Sequence, residues 1–480
     1  MNLQSEVARG VKWVASAKLG SQLITWGITI YVMRLLAPAD YGLLAMATVL
    51  LGLLLMFAEA GLGPALVQRK EVSEQEFRQA LGVIWMFNLA LFTVTNAAAP
   101  ALAAFYHEPR LQTLVHVLSI QFLLLPLIVL PDVELQRRLD FRVRSLIELG
   151  GALASSLTTL GLALAGAGVW ALALGQLATL VARALALNIC APSYWRPSWP
   201  GQGLGALLGM GGSMAAARLL WYCFTQADML IVGRTLGDQL LGLYSVSMHL
   251  ASLPMQRIMS ILNQALYPVL SRAQHDLPAI RAGALKMLGY VGLLAFPMMW
   301  GMASVAPELV HVVLGADWAG AVLPLQVLCL IMPFRALAQL LPTVTDALGK
   351  PNVGLNNVLL SCLVMPPAFY IGSRWGIAGI AYAWLLAYPL VLLTNMRRML
   401  KVIGISAAEV ARRAGPAVLC SALMYGAVSL LRASLAGQPR AWALVAEVLT
   451  GILAYGLASL ILNRTLVAEL RGMLRGRAAT

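Results

Sequence analysis

Charge is what this chain has least of. Only 11% of its 480 residues are Asp, Glu, Lys or Arg, where a soluble domain carries about 25%. So few charges cannot cover a water-exposed surface. The 60% hydrophobic content equally excludes disorder, which needs low hydrophobicity. Cysteine is scarce too. Cys190, Cys223, Cys329, Cys362 and Cys420 sit in or beside apolar runs with no CxxC spacing. That excludes a disulfide framework or a thiolate metal site and reads as small apolar packing. The loop histidines His107, His116, His275 and His311 stand alone, and no GxSxG, Walker A or HExxH pattern occurs, so no catalytic or metal-ligating constellation is visible. Strand-like alternation is missing, which excludes a membrane β-barrel. The first apolar run is too long for a cleavable signal peptide and lacks a small-residue cleavage site.

What is there is a succession of continuous apolar runs, with a mean hydropathy of +0.79. A membrane-crossing helix takes about 20 such residues. The runs read as about fourteen transmembrane helices, the first near 13–33, the seventh near 208–232 and the last two near 415–431 and 442–462. The fold class is therefore all-α and polytopic. The seventh is the least apolar, because it holds Arg218, Gln226 and Asp228. The loops leave no room for a soluble domain of ordinary size, roughly 100 residues.

The surviving charge is lopsided, with 34 Lys and Arg against 20 Asp and Glu, a net +14. In a soluble protein that excess suggests nucleic acid. Here 23 of the cations fall at the N-terminus, in the loops after even-numbered helices and in the C-terminal tail, against six in the loops after odd-numbered helices. The positive-inside rule then puts both termini in the cytoplasm and needs no nucleic-acid partner. The basic stretch Arg397–Arg413 reads either as a short amphipathic helix lying on the inner surface or as an ordinary basic loop.

Displacing the chain by 200 residues aligns Lys18 with Arg218, Thr25 with Thr225, Arg34 with Arg234 and Gly42 with Gly242. A second echo pairs Gly168–Ala173 with Gly376–Ala381. Six helices separate the copies, so both halves share one orientation, which is a parallel repeat. The expected organisation is an N-terminal lobe over 1–200, a C-terminal lobe over 201–400, and a C-terminal helix pair with a basic tail over 401–480. Two facing bundles make a cavity for alternating access.

Polar side chains inside a span avoid lipid, so their spacing marks the cavity face. Helix 1 carries Lys18, Gln22 and Thr25 on one stripe. Helix 7 carries Arg218, Tyr222 and Thr225 on the matching one, and helix 8 adds His249 and Gln256. Helix 10 brings Arg335. A charge at the bilayer centre costs at least about 2.5 kcal/mol, so Lys18, Arg218 and Arg335 each need a partner or a ligand. The buried excess is cationic, which suits an anion, and arginine binds phosphate oxygens through two N–H groups at once. Asp228 has two readings, a structural pair with Arg218 or Arg234, or a site for a coupling proton or sodium ion. His249 reads as a helix-packing residue. Arg34 with Asp40 and Arg234 with Asp238 read as pairs at outer helix ends.

The segments Arg34–Ala47 (RLLAPADYGLLAMA), Phe57–Phe77, Leu135–Glu148, Gly166–Leu177, Ile231–Ser245 and Asp346–Asn352 carry a resemblance. The chain resembles the polysaccharide-transport branch of the multidrug/oligosaccharidyl-lipid/polysaccharide exporter superfamily. That resemblance implies a flippase, not an enzyme, for undecaprenyl-diphosphate-linked oligosaccharide units in the bacterial inner membrane, serving lipopolysaccharide or exopolysaccharide synthesis. It implies a central cationic cavity with Lys18, Arg218 and Arg335 on the diphosphate. Membrane lipids and the polymerase and chain-length regulator of the same pathway are the implied partners, and no cofactor is implied beyond a proton or sodium gradient. The competing expectations are a cation-coupled small-molecule or drug exporter, which needs an essential cavity carboxylate, and a membrane glycosyltransferase, which needs catalytic carboxylates and a large outer loop.

Overall fold

Prolines and glycines decide where the apolar runs break into separate helices. The computed structural model describes residues 25–58, 63, 66–67, 73–138, 140–192, 197–198, 204–272, 276–435, 437–464 and 466, without the side chains at 141, 204–218, 260–272, 343, 347 and 351. Every regular element among these residues is helical. In chain order the longer ones are α1 (25–35), α2 (Pro38–Ala58), α3 (Glu74–Tyr106), α4 (Arg110–Leu118), α5 (Pro126–Arg137), α6 (Phe141–Leu164), α7 (Val169–Cys190), α8 (Leu204–Arg272), α9 (Leu277–Ser304), α10 (Val322–Ala347), α11 (Pro351–Gly372), α12 (Gly376–Leu386), α13 (Tyr388–Ile403), α14 (Ala407–Ser434) and α15 (Arg440–Leu462).

Ten stretches of the described residues are long and apolar enough to cross a membrane, so the protein is a multi-pass membrane protein. The expected fourteen segments differ from these ten at identifiable places. The first run is described only from residue 25. The expected seventh and eighth segments are the two halves of α8, separate helices joined across a kink. The kink lies at Gly237, whose φ of 83° and ψ of −176° suit glycine alone. Residues Asn352–Ile403 form a single 52-residue stretch, broken by a 3-10 turn at Ser373–Trp375.

The chain divides into two units, Met1–Tyr222 with Gly233–Gly242, and Cys223–Val232 with Leu243–Thr480. Helix α8 contributes to both. In the first unit α6 lies along α7, and α3 packs on α2 and α4. Polar side chains fasten these helices where lipid offers no partners. Buried Asn88 on α3 donates to Ala58 O at 2.7 Å. Asn96 donates to Ser119 Oγ at 2.9 Å and its carbonyl oxygen meets His116 Nδ1 at 2.6 Å. His116 is therefore not isolated, as its sequence neighbourhood suggested; its partners are 20 residues away, beyond any local pattern. In the second unit α9 packs on α10 and α14, α14 on α15, and α10 on α12 and α13.

Among the described residues, four helices start with side-chain caps. Ser73 and Ser406 form capping boxes with Glu76 and Glu409, and Asp140 and Asp276 accept from Val143 N and Ala279 N. Each satisfies an N–H with no intrahelical partner. The stretch Arg397–Arg413 corrects the surface-helix expectation, and it is not a loop either. Its first half ends α13, Gly404 turns left-handed at φ 78°, and Ser406 starts α14 at once. Arg281 Nε donates to Ile403 O at 2.8 Å, closing the C-terminus of α13 with a cation where the helix dipole favours one. A Cβ on Gly404 would overlap the Arg281 guanidinium. Gly404→Ala is therefore expected to cost about 1 kcal/mol from the left-handed backbone alone. A lowered thermal midpoint in detergent checks this, and an unchanged midpoint refutes the cap.

Candidate functional site

In the second unit, α8, α10 and α12 bring charged and aromatic side chains together in the interior. Asp228 is 1% exposed. Its Oδ1 accepts from Met229 N at 2.8 Å and its Oδ2 from Tyr244 Oη at 2.7 Å. Trp384 Nε1 donates to Tyr244 Oη at 2.8 Å, which leaves the tyrosine proton only the carboxylate to point at. The chain Trp384 to Tyr244 to Asp228 thus polarises in one direction, and such chains strengthen in a dry interior. Arg335 on α10 stacks over the Trp384 ring, 4.4 Å from its centroid, with Tyr388 at 5.8 Å. Its positive charge acts on the Asp228 carboxylate. Phe369 and Phe224 complete the aromatic cluster at 5.1 and 6.4 Å from Trp384.

The physical division of labour is clear. Asp228 is buried but served by two donors and a nearby cation, the conditions under which a carboxylate tolerates burial. Arg335 makes no salt bridge with a carboxylate among the described residues. Cation–π stacking holds its plane, one hydrogen bond goes to the Tyr388 hydroxyl, and the remaining N–H groups are left for other acceptors. A guanidinium presented this way matches the oxygens of a phosphate or diphosphate.

The other predicted residues are distributed as follows. Lys18 and Gln22 lie outside the described residues, as does the Arg218 side chain. Thr25 on α1 and Thr225 on α8 are half-buried. Tyr222 spends its hydroxyl on structure, donating to Val49 O of α2 at 2.7 Å, where Gly52 leaves the room. His249 and Gln256 lie on the more exposed side of α8. The structural partner expected for Asp228 was Arg218 or Arg234. Among the described residues its hydrogen-bond partners are Tyr244 and the Met229 amide, and Arg234 lies against His107 and over the Phe105 ring at 5.3 Å. Asp238, expected with Arg234, takes Arg110 at 2.8 Å. Arg110 also binds Glu108, and its hydrogen bond holds the Glu108 carboxyl below the usual range. The small stabilisation is present at neutral pH and lost as pH falls. With Arg110 60% exposed, water screens most of it.

Sequence reasoning missed Tyr244 and Trp384. A tyrosine or tryptophan in an apolar run needs a partner for its polar tip, which is the signal they gave. A second polar place lies in the first unit, in a cavity of about 420 Å³ among α5, α6 and α7. Asp132 binds Gln136 Nε2 at 2.9 Å and Arg144 Nε at 3.0 Å on its wall, and Arg183 Nε is buried there without a partner.

Known proteins bear on this geometry at two levels. A family model described as "Polysaccharide biosynthesis protein" matches residues 31–323. An uncharacterized membrane protein in the cps region of Klebsiella pneumoniae is 24% identical over 405 residues, 84% of each chain. The lipopolysaccharide biosynthesis protein WzxC of Escherichia coli (strain K12) is 25% identical over 401 residues, 80% of this chain and 79% of WzxC. Among solved structures, the lipid II flippase MurJ in its inward closed conformation superimposes with a TM-score of 0.73, over 95% of this chain and 99% of MurJ, at 13% identity. That likeness establishes the fold.

Proposed function

We propose that this chain, which belongs to the polysaccharide biosynthesis protein family, is a flippase that carries undecaprenyl-diphosphate-linked oligosaccharide repeat units across the bacterial inner membrane by alternating access. The product serves lipopolysaccharide or exopolysaccharide synthesis, and both termini face the cytoplasm. The 23-to-6 bias of Lys and Arg supports this orientation. A polymerase and chain-length regulator of the same pathway would take up the delivered units. No bond is made or broken in this cycle.

One observation carries the reading: Arg335, held by Trp384 and Tyr388 and without a carboxylate salt bridge among the described residues, keeps N–H groups for an anion in a membrane interior. The diphosphate is the anionic part of the proposed substrate. Lys18 and Arg218, matched in the sequence repeat, are the further cations assigned to it. Asp228 is assigned the coupling proton or sodium ion. A drug exporter would rely on the same carboxylate but not on Arg335.

The test is flipping of a fluorescent diphosphate-linked oligosaccharide in proteoliposomes. Arg335→Lys keeps the charge but loses the planar stack, and is expected to slow flipping about tenfold, the rate equivalent of a stacking loss of about 1.4 kcal/mol. Arg335→Gln is expected to abolish it. Full flipping by Arg335→Gln at normal protein levels would overturn the anionic-substrate reading.

A further inference from the structure

Two carboxylates and one guanidinium meet inside the second unit, at the end that carries the α14–α15 connection. Arg432, in the last turn of α14, places Nε 3.3 Å from Glu308 Oε2 and 3.3 Å from Glu447 Oε1. Glu308 stands in the short helix Ala306–Leu309, and Glu447 about two turns into α15. Glu447 is 0% exposed, on a helix otherwise apolar enough to cross a membrane.

The charges do not balance. One cation serves two acids, so with both ionised an uncompensated negative charge would stay buried, at a cost of several kcal/mol. The hydrogen bonds do not balance either. Among the described residues, Glu447 Oε2 is a buried acceptor with no donor, Glu308 Oε2 lies within ion-pair distance of Arg432 but makes no aligned hydrogen bond, and Arg432 Nη2 is a buried donor with no acceptor. Two carboxylates with one charge too many and one donor too few lack a proton. When like acids share a site, one of them keeps its proton. A metal cation fits less well, because hard cations take about six oxygens and the centre of this cluster is a guanidinium.

The groups around it add no second counter-charge. On α9, residues 292–304 carry no titratable side chain, and Leu293 offers only its carbonyl, to Tyr455 Oη of α15 at 2.8 Å. The π-helical turn Val310–Leu314 brings His311, whose Nδ1 is engaged by Pro307 O at 2.8 Å. On α15 itself the nearest other charge is Arg440, two turns away at the helix start.

We propose that Glu308, Glu447 and Arg432 form a proton-binding site in the terminal helix pair, where the two carboxyls share one exchangeable proton and Arg432 balances the charge that remains. With the proton in place the site is neutral and α15 stays docked on α14 and on Ala306–Leu309. Loss of the proton leaves a net negative charge that only water can compensate, so α15 loosens as pH rises. Nothing in this site depends on which molecule the protein carries.

The test is a titration of the full-length protein in lipid nanodiscs from about pH 5 to about pH 9, the range reached by displaced buried carboxyls. Infrared difference spectroscopy reads the protonated carboxyl band. Measured in the Asp228→Asn background, so that the other buried carboxyl does not contribute, the protein is expected to lose one carboxyl proton per chain. Glu447→Gln and Glu308→Gln are each expected to lose that band, since the remaining acid ionises beside Arg432. Arg432→Gln is expected to hold two protons in place of one. A band unchanged in both glutamine variants overturns the site, as does an unchanged proton number in Arg432→Gln. Hydrogen exchange along α15 in the unmodified protein gives a reading that needs no variant. Protection should fall with rising pH after correction for intrinsic exchange, and flat protection overturns the proposal.

Discussion

Gly242→Ala, and separately Gly42→Ala, are expected to lower the thermal midpoint sharply, taking away a large part of the protein's stability. A Cβ on Gly42 would overlap the backbone oxygen of Asp238, and a Cβ on Gly242 would overlap the backbone oxygen of Pro38. Neither obstacle is the tip of a flexible side chain that can swing aside. Relief requires shifting a helix backbone, and overpacking of this kind costs about 3 kcal/mol, against a total stability of only about 5–15 kcal/mol. The contact is reciprocal: Pro38 and Asp238, like Gly42 and Gly242, are one repeat length apart, so the two copies meet through the same small residue and the same carbonyl. Gly150→Ala and Gly415→Ala make sharp controls, because nothing lies within 4 Å of a Cβ at either place. There alanine should be neutral or stabilising, by about 0.4–1 kcal/mol. Size-exclusion profiles of fluorescently tagged protein, with thermal midpoints, would separate the two groups. Equal profiles for all four variants would refute the close crossing.

Tyr244→Phe is expected to have the next largest effect. The substitution keeps the ring but removes the hydroxyl that joins Trp384 to Asp228. It leaves Asp228 Oδ2 and Trp384 Nε1 both buried and both without that partner. Each orphan costs about 1–3 kcal/mol, so the variant should lose about 3 kcal/mol and much of its thermal stability. Asp228→Asn separates the two roles of the aspartate. Asparagine can still accept from Tyr244 but then turns its NH2 toward the Met229 amide, so a purely structural aspartate predicts a loss of about 1 kcal/mol with flipping intact. An ion-coupling aspartate predicts the same loss of stability with flipping lost and no response to an imposed proton or sodium gradient. Collapse of the asparagine variant together with the phenylalanine one would show that the carboxylate charge itself holds α8 and α12 together.

Much of the site chemistry was open to reading before any fold was known, and for one reason. A charge in an apolar run is expensive, so Arg335 and Asp228 stood out by insertion cost alone. The same argument applies to Glu447, which sits in the run AWALVAEVLTG, yet its importance emerges only beside Arg432 and Glu308, 15 and 139 residues away in the chain. Partners could not be assigned by proximity along the chain. Asp228 looks toward Arg234 in sequence and toward Tyr244 in space, because the kink at Gly237 breaks α8 into two helices and changes which side chains share an interior. Tyr222 looked like a cavity residue from its helical spacing, but spacing cannot reveal that Val49 O waits for its hydroxyl.

The sequence by itself determined the helical class, the membrane environment, the parallel repeat and the residues whose charge demands an explanation, since all of these follow from composition, periodicity and the cost of moving charge out of water. Only the tertiary structure decided how those charges are compensated. Compensation depends on which atoms come within about 3 Å of one another, and helices far apart in the chain supply them: a tryptophan and a tyrosine for Asp228, an aromatic face for Arg335, and for Glu447 one arginine shared with a second acid.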